Sequence, residues 1–178
     1  MTELEKLYVE ALRESSRSFQ TWMAWAIGAS LSLVVFTLSP PPPEARAALP
    51  IPGAMFTVSR AGAEFLAITV YIVAAILAAS TFESVRRARM HLRNSPELLE
   101  AASLFPSFAT FSSRRLRVFV GLLPWLLLVL AAGIQNSRSA TPADWINLAL
   151  GLFMLGAPYW TLAAFLAQAS VKPEVRTF

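Results

Sequence analysis

Along this chain, four runs of nearly uninterrupted apolar residues alternate with segments that hold almost all of the charge. The runs cover residues 19–38, 63–82, 116–135 and 144–168. At about 1.5 Å of rise per residue, a helix of about twenty residues crosses a hydrocarbon core of about 30 Å. The pattern predicts four transmembrane helices and an all-α fold. A four-helix membrane bundle makes a single domain of residues 1–178, with an outer loop at 39–62 and a basic cytoplasmic loop at 83–115.

The segments between the runs have patterns of their own. In residues 2–17, Leu4, Leu7, Tyr8, Ala11 and Leu12 recur as one stripe of an amphipathic helix. Thr2 and Glu5 have the spacing of a capping box. The polar face is acidic on balance, whereas a helix lying on anionic lipid is rich in Lys and Arg. The stripe is therefore expected to meet protein: its own central loop, a neighbouring subunit or a soluble partner. The alternative is a plain extension of the first span. In the central loop, Glu83 and Arg87 are spaced to pair at i,i+4. Ser95-Pro96-Glu97 opens a short helix with Leu98, Leu99, Ala102 and Phe105 on one face, and Phe108 and Phe111 follow. The outer loop starts at Pro40-Pro41-Pro42-Pro43, which stops the first helix. Its apolar, proline-broken part at 49–56 is expected to serve as a lid or plug over the bundle, or to rest in the headgroups.

Charge then orients the spans. Every Lys and Arg except Arg46, Arg60 and Arg138 lies in the N-terminal segment, in the central loop and the first residues of the third run, or in the C-terminal tail. The positive-inside rule places these, and both termini, in the cytoplasm. A net charge of +4 is thereby read as topology, and no nucleic-acid partner is expected. The Ala- and Arg-rich, Lys-poor composition suggests a bacterium, hence its inner membrane. The first run follows an acidic segment and is long for a signal peptide, so it is expected to stay as a helix.

Candidate chemistry is sparse. Cysteine is absent and His91 is the single histidine, so no metal or other cofactor is expected. No acid–base cluster, nucleophile motif or phosphate loop is present, so the chain is not expected to be an enzyme. No charge falls at mid-span, which argues against coupled transport and voltage sensing. What remains are surfaces. Arg86, Arg87, Arg89, Arg93, Arg114, Arg115 and Arg117 gather at one membrane face as candidates for docking a partner. The positive charges that open the third run oppose that helix's dipole; headgroups or an acidic protein surface would balance them, and topology setting alone also accounts for them. Ala24, Gly28 and Ser32 form a small-residue face suited to helix packing. Tyr71, Trp125, Tyr159 and Trp160 bring hydrogen-bond donors into the spans and are candidates for interhelical packing or for lining a cavity, with Thr69, Asn147 or Thr161 as polar company. Pro124 and Pro158 interrupt the third and fourth runs. Together these features suggest a non-enzymatic membrane subunit that oligomerises, contacts membrane lipids and docks a soluble cytoplasmic protein. It would be the anchor or sensor of a larger complex, with bacterial defence systems as an architectural analogy. The alternative is an oligomeric ion channel or membrane-permeabilising effector.

Overall fold

Between Glu3 and Leu38 the chain has no proline and a single glycine, Gly28, and it forms one continuous helix, α1 (Glu3–Leu38). A computed structural model describes residues 3–38, 47–51, 54–92, 113–137 and 141–168. Two strands, β1 (Ala47–Ile51) and β2 (Ala54–Val58), follow α1 as an antiparallel pair in which Ile51 faces Ala54 and Ala47 faces Val58. Then come α2 (Arg60–His91), α3 (Arg114–Asn136) and α4 (Pro142–Gln168). Four helices are long and apolar enough to cross a membrane, so the expected all-helical bundle holds in outline. The β-hairpin is an addition to it. Pro50 sits in β1, where it is tolerated because both strands of a two-stranded sheet are edges. The expected lid at 49–56 turns on side chains outside those described. Thr2, Arg93, the helix expected from Ser95, and Phe105, Phe108 and Phe111 also lie outside the described residues.

Local signals set where the helices begin. Ser59, in extended conformation, accepts from the Gly62 amide at 3.3 Å and starts α2. Ser113 accepts from the Leu116 amide at 3.4 Å and starts α3. At α4 the cap is reciprocal: the Thr141 amide and hydroxyl donate to Asp144 Oδ2 at 2.8 and 2.6 Å, and the Asp144 amide donates to the Thr141 hydroxyl at 3.4 Å. Pro142 takes the first helical position, where its missing N–H costs nothing. Both interior prolines, Pro124 in α3 and Pro158 in α4, are carried within continuous helices.

Packing follows from which side of α1 is buried. Leu12, Ser16, Phe19, Met23, Ala26, Ser30 and Leu33 recur at alternating steps of four and three, the seam of a coiled-coil helix pair. Against this seam α2 runs antiparallel: Tyr8 stacks on His91 with ring centroids 4.6 Å apart, and Phe19 meets Phe82 at 5.4 Å. Near the hairpin end the seam narrows to small residues, with Ala26 and Ala29 facing Ala67, Ala74 and Ala75. Towards the N-terminal end it is larger, with Leu12, Phe19 and Met23 clustered with Phe82, Val85 and Leu92. The second pair, α3 and α4, lies against the first mainly through α1 and α3, with a smaller contact between α2 and α4.

Helix length determines what extends past the bilayer. At about 1.5 Å per residue α1 is about 54 Å long and α2 about 48 Å, both well over the roughly 30 Å of hydrocarbon. The surplus of both falls at the end where α1 starts and α2 finishes. The expected amphipathic segment is therefore the first part of α1 itself, and it packs along the end of α2. Only part of its apolar stripe is covered: Leu12 is buried, while Leu4 and Leu7 are each 62% exposed.

Candidate functional site

Three zones stack along the bundle: a cavity at the hairpin end, a sealed middle and a charged N-terminal end. The cavity, of about 270 Å³, is walled by all four helices. Its rim carries Thr37, Glu64, Gln135 and Asn147, each within two turns of its helix end, and its depth is apolar, with Leu33, Leu128, Leu152 and Leu155. Gly151 completes the wall from α4, and a side-chain carbon there would meet no atom within 4 Å.

Below the cavity the expected aromatics form a hydrogen-bonded seam. Tyr159 donates from its hydroxyl to the Tyr71 carbonyl at 2.8 Å, and Tyr71 donates to the Leu155 carbonyl at 3.2 Å. Trp125 Nε1 donates to the Leu152 carbonyl at 3.1 Å. Trp160 packs edge-on against Trp125, with centroids 5.3 Å apart. None of these four residues is among the cavity's wall residues. The partners of Tyr71, Trp125 and Tyr159 are backbone carbonyls of neighbouring helices, not the side chains of Thr69 or Thr161, whose hydroxyls bond Phe65 and Pro158 carbonyls within their own helices. In a medium without water, the donors find the one acceptor that every helix offers. Tyr71 and Tyr159, 1% and 0% exposed, close the middle of the bundle.

The close helix contacts lie away from the small-residue face singled out in the sequence. Ala24, Gly28 and Ser32 are exposed on α1, and a carbon added at Gly28 would touch nothing within 4 Å. Ser32 satisfies its hydroxyl on the Gly28 carbonyl at 2.9 Å, so the face needs no polar partner. The tight glycines are Gly121 and Gly156. An added carbon at Gly121 would lie 3.3 Å from the Ala163 backbone, and at Gly156 it would lie 2.5 Å from Trp125 Nε1. A signal for them was present: each glycine precedes a tryptophan by four residues, Trp125 and Trp160, so notch and knob share a helix face.

At the N-terminal end the arginines divide into different roles. Arg86 grips both oxygens of Glu83 at 2.7 and 3.0 Å, and Arg87 adds a third bond at 3.2 Å. These two arginines hold the Glu83 carboxyl, which lies just beyond the apolar run of α2, down from its ordinary value near 4.5 to about 2. Arg89 is half-buried; desolvation, then the nearby charge of Arg117, pull its guanidinium below the usual value. Arg114 and Arg115 are exposed. Arg117 is only 3% exposed and donates from Nε to the Leu166 carbonyl at 3.1 Å. That carbonyl is one of the last four of α4, which have no partner inside the helix. The cation that opposes its own helix dipole thus favours that of α4. The balance expected from headgroups or a partner comes, for this residue, from within the chain.

By fold the chain is a four-helix, multi-pass membrane protein, on the length and composition of its helices. Comparison with known protein families, with curated proteins and with solved structures finds no match.

Proposed function

We propose that this protein is a non-enzymatic subunit of a bacterial inner-membrane complex. It oligomerises in the bilayer, keeps both termini in the cytoplasm and docks a soluble partner at its N-terminal end. The observation that carries this reading is the ordered projection made by α1 and α2. A bundle built only to span lipid has no use for helices of 36 and 32 residues. Here the surplus turns pack on one another through Tyr8, His91, Leu12 and Leu92, and they leave Leu4, Leu7 and Met90 exposed to solvent. Exposed apolar groups on a rigid helical projection, rimmed by Glu3, Glu10, Arg86 and Arg87, are the usual make-up of a protein-binding surface. The tightly filled middle of the bundle also argues against a conduction path along the axis of one copy.

The test is gentle extraction from the native cell with every component identified and weighed. A soluble companion in fixed ratio is expected, and it should be lost from a Leu4→Lys/Leu7→Lys variant that keeps its yield and oligomeric size. Recovery of the companion unchanged by that variant overturns the docking role. A homo-oligomer without any companion that conducts ions transfers the reading to a channel formed between copies.

A further inference from the structure

The two edges of the β-hairpin are chemically unlike. Among the described residues the sheet has two strands, and these contact one another far more than they contact any helix, so each strand keeps an outer edge. The pairing closes at Ile51 opposite Ala54 with two residues between, and a pair that flanks so short a connection exchanges both of its backbone bonds. The ladder alternates from there. Ile51, Leu49 and Ala47 bond inward to Ala54, Phe56 and Val58, while Ala48 and Pro50 on β1, and Met55 and Thr57 on β2, direct their backbone groups outward. Pro50 has no N–H, so the outer edge of β1 is interrupted where a neighbouring strand would need a donor. On β2, Met55 and Thr57 each offer an N–H and a C=O, and residues 54–58 include neither proline nor charge, the usual devices that keep an edge from pairing.

We infer that β2 pairs edge to edge with β2 of a second copy, antiparallel about a two-fold axis, as a contact of the oligomer put forward above, on which this inference rests. Met55 of one copy lies opposite Thr57 of the other and the two exchange both backbone bonds, which leaves Phe56 opposite Phe56 at the axis. Copies that share one bilayer put that axis along the membrane normal, so the strands lie across it. A second copy suits this edge better than a foreign strand does. The bilayer already holds every copy at one depth, which spares the ordering cost that a free peptide incurs. Residues 47–58 are uncharged, so two copies meet without like-charge repulsion. The interruption at Pro50 stops the same pairing from running on through β1 into a filament, and the contact closes as a pair.

The test is oxidative cross-linking of the full chain in its native membrane. The chain has no cysteine, so each variant carries a single thiol. Directly opposed residues of a non-bonded pair have Cα atoms about 4.5 Å apart, within the span of a disulfide, whereas Met55 and Met55 of the other copy lie about 9 Å apart, beyond it. Phe56→Cys is therefore expected to form a disulfide-linked dimer about tenfold faster than Met55→Cys. Adding Thr57→Pro, which removes an outward N–H of β2, is expected to bring that rate down to the Met55→Cys level. Adding Ala48→Pro, the same change on the outward edge of β1, is expected to leave it intact, so the loss from Thr57→Pro is not loss of the hairpin. Equal rates for Phe56→Cys and Met55→Cys overturn the register. A Thr57→Pro without effect, or a cross-link to a different protein, overturns the contact between copies. The mass of the gently extracted protein keeps the two readings apart: several copies without the Phe56→Cys dimer overturn this edge and leave oligomerisation standing, whereas a single copy without it overturns both.

Discussion

Tyr71 and Tyr159 each anchor the other's helix: the Tyr159 hydroxyl donates to the Tyr71 carbonyl at 2.8 Å, while the Tyr71 hydroxyl donates to the Leu155 carbonyl, one turn before Tyr159, at 3.2 Å. Their rings lie 4.7 Å apart. This is the principal tie between α2 and α4, which otherwise touch sparsely. Tyr71→Phe and Tyr159→Phe are each expected to cost about 0.5–1.5 kcal/mol, with the ring packing retained. The double variant should cost less than the sum, because both bonds hold the same two helices in register. Unfolding in mixed micelles with increasing denaturing detergent measures this; strict additivity would show that the bonds act independently.

The steric map of the glycines makes a sharper contrast. Gly156→Ala puts a carbon 2.5 Å from the indole nitrogen of Trp125, a side chain fixed by its own bond to Leu152. Gly121→Ala presses on the Ala163 backbone. Each is expected to destabilise by about 1–3 kcal/mol through overpacking. Gly133→Ala enters open space and is expected to be neutral or to stabilise slightly, since it lowers the entropy of the unfolded chain. The same unfolding measurement ranks the three, and equal effects would refute the packing account.

Arg117 supplies a test of helix capping across the bundle. Arg117→Met keeps the long apolar stem and removes the bond to Leu166, with an expected loss of about 1.5–3 kcal/mol. The loss should be local. Hydrogen exchange is expected to speed up in the last turn of α4 and to leave the Thr141–Asp144 cap at its other end unchanged. Arg117→Lys should rescue little, because the planar guanidinium reaches the carbonyl from a fixed geometry.

How far these features were legible in the sequence depended on their range. The four spans and the Thr141–Asp144 cap are local signals, set by run length and by residues three apart, and they were readable. The seam of α1 was not, because in a membrane helix every face is apolar: Phe19 is buried while Trp25 and Leu31 are exposed, and hydrophobicity does not separate them. For the same reason composition did not separate Ala24, Gly28 and Ser32, which are exposed on α1, from Ala26 and Ser30, which are buried on it. The tyrosine bonds join residues 84 and 88 positions apart and accept on backbone carbonyls, which have no residue signature. The β-hairpin was hidden by its prolines, which read as strand breakers where the strands are in fact edges.

Glu83 gives a prediction in pH. Its folded value, about 2, lies below the ordinary 4.5, so the Arg86 and Arg87 bonds contribute fully above about pH 4.5 and fade as pH falls towards 2. Glu83→Gln is expected to lower stability slightly near neutral pH, as surface ion pairs do. The difference from the parent should shrink through that window and vanish once Glu83 itself is protonated. A gap that persists at pH 2 would assign the effect to packing instead of charge.

Oligomerisation has its own test on the exposed side of α1. Gly28 and Ser32 stand beside Trp25 and Leu31 on a face that, among the described residues, no helix of the same copy covers, and small residues there allow a second backbone to approach closely. Gly28→Ile/Ser32→Ile adds branched bulk where a carbon at Gly28 meets nothing within 4 Å among the described residues, so the single subunit should fold and unfold as before. The assembly should shrink, read as a lower mass by photometry of the detergent-extracted protein. The combination is what discriminates. A smaller particle with unaltered subunit stability assigns this face to contact between copies. An unaltered particle assigns it to lipid and moves the interface to the exposed side of α4, where Phe153 and Met154 stand clear of the bundle.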